Sequence, residues 1–294
     1  MVVGPDEYHE GVDDNAYTNV LARYNIERAL DAYAWLGERA PDEAAVLGER
    51  LGLTPAELTS WRTVAGALVD GFDPATGLYE QFAGFFDMDD VDPAALAARP
   101  MAADLLLGRD VTLKSKVVKQ ADVVMLCYVL PDEIPSDVAL ANLRYYEPIT
   151  SHGSSLSPGI HAALAARLGN VKLAVEAFHM AAEVDLSDNM GNAARGLHMA
   201  TMGGVWQAAV MGFGGVRRHG ETLVLDPHLP EEWTSLSFAL RFRGARLRIT
   251  VRPGELDVTV VDLPAAVVIG RRTHLLEAGE HHFRRSRGTW EEER

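Results

Sequence analysis

A short acidic stretch near the start of the chain, residues 4–10 with the sequence GPDEYHE, has the side chains that acid–base catalysis needs. Three carboxylates, one imidazole and one phenol occur together after a Gly-Pro turn. A catalytic acid is a carboxyl group whose pKa is adjusted by its neighbours, and this stretch offers both the carboxyls and the neighbours. A solvent-exposed acidic loop is the other interpretation, and the stretch alone leaves both open.

A second polar stretch, residues 150–157 with the sequence TSHGSSLS, is rich in hydroxyl groups and lies where a helix is predicted to begin. Free backbone N–H groups and the dipole at the start of a helix bind anions, and phosphate in particular. Lys119 would add a full positive charge if the fold brings it close. Alternatively, Ser157 only caps the helix while the other hydroxyls face water, and both interpretations stay open.

A histidine, His198, stands in the segment GLHM within a helix predicted over 193–211. A histidine in such an apolar, small-residue helix is usually a hydrogen-bonded core residue, and a catalytic or ligand role is the alternative. Gly203 and Gly204 weaken the same helix by about 1 kcal/mol each relative to alanine. They would also let another helix or a ligand approach closely.

The composition of the 294-residue chain restricts its partners. The net charge of -15 argues against nucleic acid and anionic membranes, because both are polyanions. We recognise no signal peptide and no apolar run of about 18 residues, so we expect a cytoplasmic protein. The single cysteine, Cys127, is expected to be a buried, inert thiol. The pair His281-His282 with His274 is expected at a surface strand end, so no metal site is predicted.

Most of the candidate residues lie on or between predicted helices. Apolar residues recur at helical spacing through the first two thirds of the chain, with proline, glycine, asparagine and threonine at the predicted ends. Lys119 and Gln120 fall in the first turns of one such helix. The predicted helices cover residues 15–36, 41–52, 54–69, 115–130, 136–144, 157–169, 170–184 and 193–211.

From residue 222 the spacing of the apolar residues changes from a helical period to a period of two. Alternate residues over 236–242 are apolar, which is typical of antiparallel strands with one buried face. We therefore predict a helical domain over 1–216 and a β domain over 217–283. The charged, aperiodic segment 284–294 is predicted to be a disordered tail.

Several ordered motifs resemble one known family. They are GPDEYHEGVDDNAYTN, KQADVVML, YYEPITSHGSSLSPGIHA and GLHMATMGGVWQAAVMGFGG, followed by LDPHLPEEW. In this order they resemble the C-terminal part of glycoside hydrolase family 65, which contains maltose, trehalose and kojibiose phosphorylases and some α-glucoside hydrolases. The resemblance covers nearly the whole chain and weakens after about residue 261.

The resemblance implies a fold and a reaction. The fold would be mainly α, the second half of an (α/α)6 toroid followed by a small C-terminal antiparallel β-sandwich domain. Glu7, which matches the glutamate of the family's G-P-D/N-E-Y motif, would be the general acid. It would protonate the glycosidic oxygen while inorganic phosphate attacks the anomeric carbon from the opposite face, giving β-glucose 1-phosphate by inversion.

The resemblance also implies the binding residues. Lys119 and Gln120 match the family's pair at the glucosyl site, Ser154 and Ser155 match its phosphate loop, and His198 matches the histidine beside that loop. No cofactor is implied, and inorganic phosphate would be the co-substrate. The implied small-molecule partners are a disaccharide and phosphate. The implied protein partner is either the N-terminal half of the toroid, which family members carry, or another copy of the chain in a homo-oligomer.

Three alternatives stay open. Gly153 and Arg195 stand where the family often has acidic residues. The resemblance therefore decides neither between phosphorolysis and hydrolysis nor which disaccharide is the substrate. An inverting hydrolase of the trehalase or kojibiose-hydrolase type would need a base about 6.5–9.5 Å from Glu7, and Glu147 is the candidate by its loop position. A truncated, non-catalytic remnant is the third alternative.

Overall fold

Helices form most of the first two thirds of the chain, and strands form the last third. The computed structural model describes residues 1–92, 96, 103–286 and 289–293. The helices of this part are α1 (Ala16–Arg39), α2 (Pro41–Leu51), α3 (Pro55–Ala67), α4 (Ala103–Leu107), α5 (Arg109–Thr112), α6 (Asp122–Val129), α7 (Ser136–Tyr146), α8 (Ser157–Arg167), α9 (Val171–Ala182) and α10 (Met199–Gln207). Short 3-10 turns lie at Phe85–Asp87, Glu147–Ile149 and Ala193–Arg195, and a π-helical turn at Ala208–Phe213 follows α10. Among the described residues, no helix is both long enough and apolar enough to cross a membrane.

The first three helices follow the signals in the sequence. The Asn15 side chain caps α1 by accepting a hydrogen bond from the Thr18 N–H, and the Thr54 side chain caps α3 by accepting one from the Glu57 N–H. Gly52 ends α2 in the left-handed conformation, which glycine adopts without a Cβ clash. The three predicted helices are therefore confirmed.

One predicted helix begins later than its apolar pattern suggested. The helix predicted over 115–130 begins only at Asp122. The Lys119 N–H bonds to the Asp6 carboxylate instead of to a helical carbonyl, and the preceding residue forms a β-bridge with Thr150. Long-range hydrogen bonds thus replace the first helical turns, and the predicted glucosyl-site residues lie in a non-helical segment.

The helix predicted over 193–211 is also shorter at its start. α10 begins at Met199, and His198 is its N-cap residue. Gly196 has a φ of 136°, which an α-helix does not contain and which ends the 3-10 turn before it. The prediction that His198 lies inside a helix is therefore wrong, and its side chain stands at a helix end.

The core of the helical region forms around α6 and α8. α8 packs against α6, α9, α10 and the π-helical turn, and its alanines are buried in one continuous hydrophobic cluster with the apolar residues of α6. Cys127 lies in this cluster, and burial raises the pKa of its thiol to about 12. The prediction of a buried cysteine is confirmed, and the thiol stays protonated at neutral pH.

α8 and α10 approach each other closely at two glycines. A Cβ atom on Gly159 would lie 3.0 Å from the carbonyl carbon of Gly204 and 3.1 Å from its Cα. These are backbone atoms, which cannot move aside as the end of a flexible side chain can. A Cβ atom on Gly203 would have nothing within 4 Å among the described residues. The close approach predicted for this glycine pair is thus confirmed at Gly204.

We expect Gly159→Ala to lower the free energy of unfolding by about 1–3 kcal/mol, because the added methyl group forces α8 and α10 apart. Gly203→Ala is the matched control, and its better helix propensity should leave stability unchanged or raise it by up to about 1 kcal/mol. Urea denaturation followed by circular dichroism measures both variants. Equal stability of the two would contradict the close packing of α8 on α10.

The strands of the described residues lie in three sheets. β1 (Phe72–Asp73) and β2 (Leu78–Tyr79) form a small hairpin between α3 and α4. The other strands are β3 (Val216–His219), β4 (Thr222–Leu225), β5 (Leu236–Phe242), β6 (Ala245–Arg252), β7 (Glu255–Val260), β8 (Ala265–Ile269), β9 (Arg272–Leu276), β10 (Gly279–Ser286) and β11 (Thr289–Glu293). They form a five-stranded sheet in the order β11-β10-β7-β6-β5 and a four-stranded sheet in the order β3-β4-β8-β9.

The two larger sheets share one hydrophobic core, which confirms the predicted β-rich C-terminal region. Alternate residues of β6 are buried, as the period of two requires. The prediction of purely antiparallel strands is wrong at one place, because β4 pairs with β8 in parallel, with Leu223 opposite Val267. β5, β6 and β7 lie between these two strands in the chain, so no tight hairpin forces them to be antiparallel. The division predicted at 216/217 stays a prediction.

The disordered tail predicted over 284–294 is wrong for the residues described. β10 continues to Ser286, and β11 pairs with it antiparallel. Trp290 of β11 is buried in the core of the β-rich region. The other described residues of β11 are exposed, so this strand has a single apolar anchor and lacks the alternation by which strands are recognised. Residues 287, 288 and 294 lie outside the described part.

Candidate active site

Glu7 projects from its loop and contacts Lys119. The Lys119 Nζ atom lies 2.7 Å from Glu7 Oε2, and 55% of the Glu7 side chain is exposed against 23% for Lys119. An exposed carboxyl can reach a bound ligand, and a neighbouring ammonium stabilises the carboxylate left after proton transfer. We call Glu7 and Lys119 the acid–lysine pair.

A buried polar network lies beneath this loop. The Asp6 N–H donates to Asp122 Oδ1 at 2.6 Å, and Asn15 Nδ2 donates to Asp122 Oδ2 at 2.6 Å. Gln81 Oε1 accepts the Asp122 N–H at 3.2 Å. Sequence reasoning missed the roles of Asp122 and Gln81, because no local signal marks a polar residue that is buried against a distant segment.

Asp122 makes the stability of the protein depend on pH. Burial, and next the negative charge of Asp6, raise the pKa of Asp122 to about 7. Below about pH 4 this carboxyl is protonated in the folded and in the unfolded chain. Between about pH 4 and pH 7 the unfolded chain releases the proton while the folded chain keeps it, so stability falls as the pH rises.

We expect Asp122→Asn to remove this dependence. The pKa change from 3.8 to about 7 corresponds to about 4 kcal/mol, so the wild type should lose up to that amount of stability relative to the variant over this pH range. Chemical denaturation at a series of pH values measures the difference, with the exposed Asp110→Asn as control. The altered hydrogen bond to Asn15 adds only a constant offset. Parallel pH curves for wild type and Asp122→Asn would contradict the raised pKa.

Gln120 follows Lys119 in the chain and contacts the loop that carries Glu7. Its Nε2 donates to the carbonyl of Pro5. Its Oε1 is buried and has no hydrogen-bond partner among the described residues. An unsatisfied buried acceptor costs about 1–3 kcal/mol, and a ligand hydroxyl could supply the missing donor.

The hydroxyl-rich loop 150–157 lies beside the segment that carries Lys119. The Val118 N–H donates to the Ile149 carbonyl at 3.1 Å, and the Val118 carbonyl accepts the Ser151 N–H at 2.8 Å. The Ser151 and Tyr8 hydroxyl oxygens lie 3.4 Å apart, which links the loop to the Glu7 stretch as well. Three segments that are far apart in the sequence therefore meet at one place.

Ser154 and Ser155 lie just before the start of α8. Ser154 is buried, and its Oγ accepts the Leu156 N–H at 3.3 Å. The Ser155 carbonyl accepts a hydrogen bond of 2.9 Å from Thr201 Oγ1, which ties the loop to α10. Leu156 is the N-cap residue of α8, and its apolar side chain cannot cap the helix. The Ser157 N–H donates to the Ser154 carbonyl at 3.2 Å and residue 158 is a proline, so an anion here would use other donors of the loop, and the alternative of a serine cap is wrong.

His198 stands at the N-terminus of α10, three residues before Thr201. Its N–H and Nδ1 contact the two carboxylate oxygens of Asp185 at 2.8 and 2.6 Å. The hydrogen bond from His198 lowers the pKa of Asp185, so the carboxylate is the acceptor and Nδ1 carries a proton. His198 Nε2 makes no hydrogen bond among the described residues, so it can face a ligand. No sequence signal pointed to Asp185, one of three acidic residues in the segment 183–188.

Glu147 lies in a separate cluster with His152 and His161. Its Oε2 contacts His161 Nδ1, and its Oε1 lies 3.4 Å from His152 Nε2. Burial alone raises the pKa of Glu147, but the two imidazoles outweigh it and hold this pKa well below its usual value. Both carboxylate oxygens are thus engaged, which argues against Glu147 as a base that activates water.

The same cluster shapes the loop 150–157. His152 has a φ of 51°, which is unusual for a residue other than glycine. Its Nδ1 lies 2.9 Å from Ser157 Oγ, and its Nε2 faces Glu147, so two side chains hold it in this conformation. The loop is therefore supported from the side of α8.

Within the described residues, Glu147, His152 and His161 form the group that could hold a metal ion. Their ligand atoms lie within 4.8 Å of one another, and two imidazoles with a carboxylate suit zinc. Glu147 and His161 are joined by a direct hydrogen bond, so their contact needs no metal ion to explain it. The expected absence of a metal site stays a prediction.

Comparisons with known proteins cover both parts of the chain. Residues 1–207 match the family model "Glycosyl hydrolase family 65 central catalytic domain". Residues 216–275 match the model of the C-terminal domain of the same family. The first match alone covers well over half of the 294 residues.

Individual relatives agree with the family models. The chain is 38% identical over 261 residues to kojibiose phosphorylase from Halothermothrix orenii, covering 89% of this chain and 34% of that protein. It is 37% identical over 253 residues to α,α-trehalose phosphorylase from Geobacillus stearothermophilus, covering 85% and 33%. A solved structure of a candidate kojibiose phosphorylase from the human microbiome superposes with a TM-score of 0.82 at 28% identity, covering 96% of this chain and 37% of that one. The chain thus spans about a third of the length of the curated relatives it matches.

Proposed function

Because this chain belongs to glycosyl hydrolase family 65, we propose that it carries the acid- and phosphate-binding part of an enzyme that cleaves an α-glucosidic disaccharide by phosphorolysis. The product would be β-glucose 1-phosphate, formed with inversion at the anomeric carbon. The observation that supports this most is the meeting of the acid–lysine pair with the loop 150–157 through Val118. A proton donor and an anion site must stand together for this reaction.

Glu7 is the proton donor in this proposal. Its carboxyl group protonates the glycosidic oxygen as the bond from this oxygen to the anomeric carbon breaks, so the second sugar leaves as an alcohol. A phosphate oxygen attacks the anomeric carbon from the opposite face and forms the new bond. Lys119 Nζ, 2.7 Å from Glu7 Oε2, forms an ion pair with the carboxylate that Glu7 becomes. Gln120, through its unsatisfied Oε1, accepts a hydrogen bond from a hydroxyl of the bound glucosyl group.

Phosphate binds at the start of α8 in this proposal. Ser154 and Ser155 supply hydrogen-bond donors, and the dipole of α8 favours a negative charge at this end. His198 adds a contact through Nε2: because Nδ1 donates to Asp185, Nε2 accepts a hydrogen bond from a P–OH group of the bound phosphate. Phosphate is itself the nucleophile, so no carboxylate base is needed. The engagement of Glu147 by two histidines supports this reaction over hydrolysis.

We further propose that the site acts together with the remainder of a family-length polypeptide, on the same chain or on a second one. The chain spans about a third of its relatives, and α10 beside the candidate phosphate site exposes apolar side chains. These are Leu197, Met199, Met202 and Trp206. Such a cluster needs a covering surface. The remainder would complete an (α/α)6 toroid in the cytoplasm, and a homo-oligomer is the alternative covering.

A chimera tests the proposal. The N-terminal part of the Halothermothrix orenii kojibiose phosphorylase is joined to this chain, and kojibiose, trehalose and maltose are each supplied with and without phosphate. Release of β-glucose 1-phosphate that strictly requires phosphate supports phosphorolysis. Glucose release without phosphate favours the hydrolase, and an inactive chimera beside an active parent enzyme favours a non-catalytic remnant. This chain alone is assayed in parallel.

A further inference from the structure

One buried carboxylate joins the two members of the acid–lysine pair. Asp6 Oδ1 accepts the Tyr8 N–H at 3.2 Å and the Lys119 N–H at 2.9 Å. Glu7 stands between Asp6 and Tyr8 in the chain, so the first hydrogen bond fixes the turn that carries the glutamate. The second fixes the backbone of its lysine partner. A single oxygen atom therefore sets the separation of the two backbones.

The other oxygen of Asp6 is anchored in the protein interior. Asp6 Oδ2 lies 2.7 Å from His9 Nδ1 and accepts a hydrogen bond from Gln81 Nε2 at 3.2 Å. His9 Nε2 in turn lies 3.0 Å from the Ser115 carbonyl. Asp6 is only 2% exposed, so it cannot touch a substrate itself. With its two backbone contacts, the carboxylate has four partners, two in its own loop and one in each of two distant segments.

We propose that Asp6 is a positioning residue, which holds Glu7 and Lys119 at the separation that proton transfer to the leaving group requires. This inference rests on the proposed function of Glu7 as general acid. A carboxylate held by four partners in the interior is rigid, whereas a loop that carries an exposed glutamate is otherwise free to move. A displacement of about 1 Å lowers a catalytic rate by about 100-fold, so this rigidity is sufficient to matter.

The test compares two substrates in the chimera. A disaccharide needs protonation of its leaving oxygen, whereas α-glucosyl fluoride releases fluoride, which leaves without a proton from Glu7. Asp6→Ala should lower phosphorolysis of the disaccharide by about 100-fold and that of α-glucosyl fluoride by less than about 5-fold, with little change in the KM for phosphate. Glu10→Ala is the control, because Glu10 is an exposed carboxylate of the same loop, and it should affect neither substrate.

Glu7→Gln separates this inference from the proposed function. Suppose that Glu7→Gln loses much more activity on the disaccharide than on α-glucosyl fluoride, whereas Asp6→Ala shows no such difference. Glu7 is then the acid, and the role proposed for Asp6 is wrong. If neither variant loses disaccharide turnover, the assignment of Glu7 fails as well. Equal losses of Asp6→Ala on both substrates indicate a merely structural role and overturn the inference.

A second measurement uses this chain alone and needs no turnover. Amide hydrogen exchange of Tyr8 and Lys119 reports the two hydrogen bonds to Asp6 directly. Asp6→Ala should speed exchange at both amides together by at least about 10-fold and leave Leu126 in α6 unchanged, whereas the milder Asp6→Asn should have a smaller effect. Unchanged exchange at Lys119 in both variants would overturn the inference.

Discussion

Glu7→Gln is expected to lower the rate of disaccharide phosphorolysis in the chimera by about 100- to 10,000-fold, the range typical for loss of a general acid. Glutamine has nearly the shape of glutamate but no proton of suitable acidity. The exposed position of Glu7 means that the change leaves the buried network of Asp6 and Asp122 intact. The KM values for disaccharide and phosphate should therefore change by less than about threefold, because binding is retained while proton transfer is lost.

The measurement is initial-rate kinetics with both substrates varied, beside circular dichroism to establish that the variant is folded. Glu10→Gln is the matched control, since it removes an exposed carboxylate three residues away in the same loop. α-Glucosyl fluoride should restore most of the rate of Glu7→Gln. Wild-type turnover in this variant would show that Glu7 is not the acid.

His198→Ala is expected to raise the KM for phosphate by about 10- to 100-fold, because it removes the hydrogen bond between Nε2 and a P–OH group of phosphate. The affinity for the disaccharide should change little, since His198 belongs to the phosphate side of the site. Asp185→Asn should have a smaller effect in the same direction, because Asp185 orients the imidazole through Nδ1 without touching phosphate.

His219→Ala is the matched control for this histidine. His219 also contacts an aspartate, Asp132, at 2.9 Å, but it lies on an exposed strand of the β-rich region. Its removal should leave the KM for phosphate unchanged. A normal phosphate KM in His198→Ala would mean that the His198 side chain only holds Asp185 at the start of α10.

Local signals predicted much of the fold. The caps at Asn15 and Thr54 and the stop at Gly52 act within a few residues, so they can be read from the sequence and they match the helix ends. The change to a period of two likewise depends on neighbouring residues only. The sequence pattern did not predict β11, because this strand is stabilised by its pairing with β10 and by one buried side chain, Trp290.

Distant hydrogen bonds explain where the sequence patterns failed. The segment 115–121 is predicted to be the polar beginning of a helix, yet Asp6 and the loop 150–157 bind Lys119 and Val118 and keep them out of the helix. Helix propensity contributes less than about 1 kcal/mol per residue, and such contacts override it. Burial, and next the negative charge of Asp6, raise the pKa of Asp122, which no property of its own helix indicates.

By itself, the sequence determined the helical and β-rich regions, the family through its ordered motifs, and the residue types at each candidate position. Only the tertiary structure decided that Lys119 contacts Glu7, that Asp185 contacts His198, and that Glu147 contacts two histidines. The physical reason is the range of the forces involved. Helix caps and strand periods arise between near neighbours, whereas the contacts Glu7–Lys119, Glu147–His161 and Asp185–His198 join side chains 13 or more residues apart and exist only once the segments have packed together.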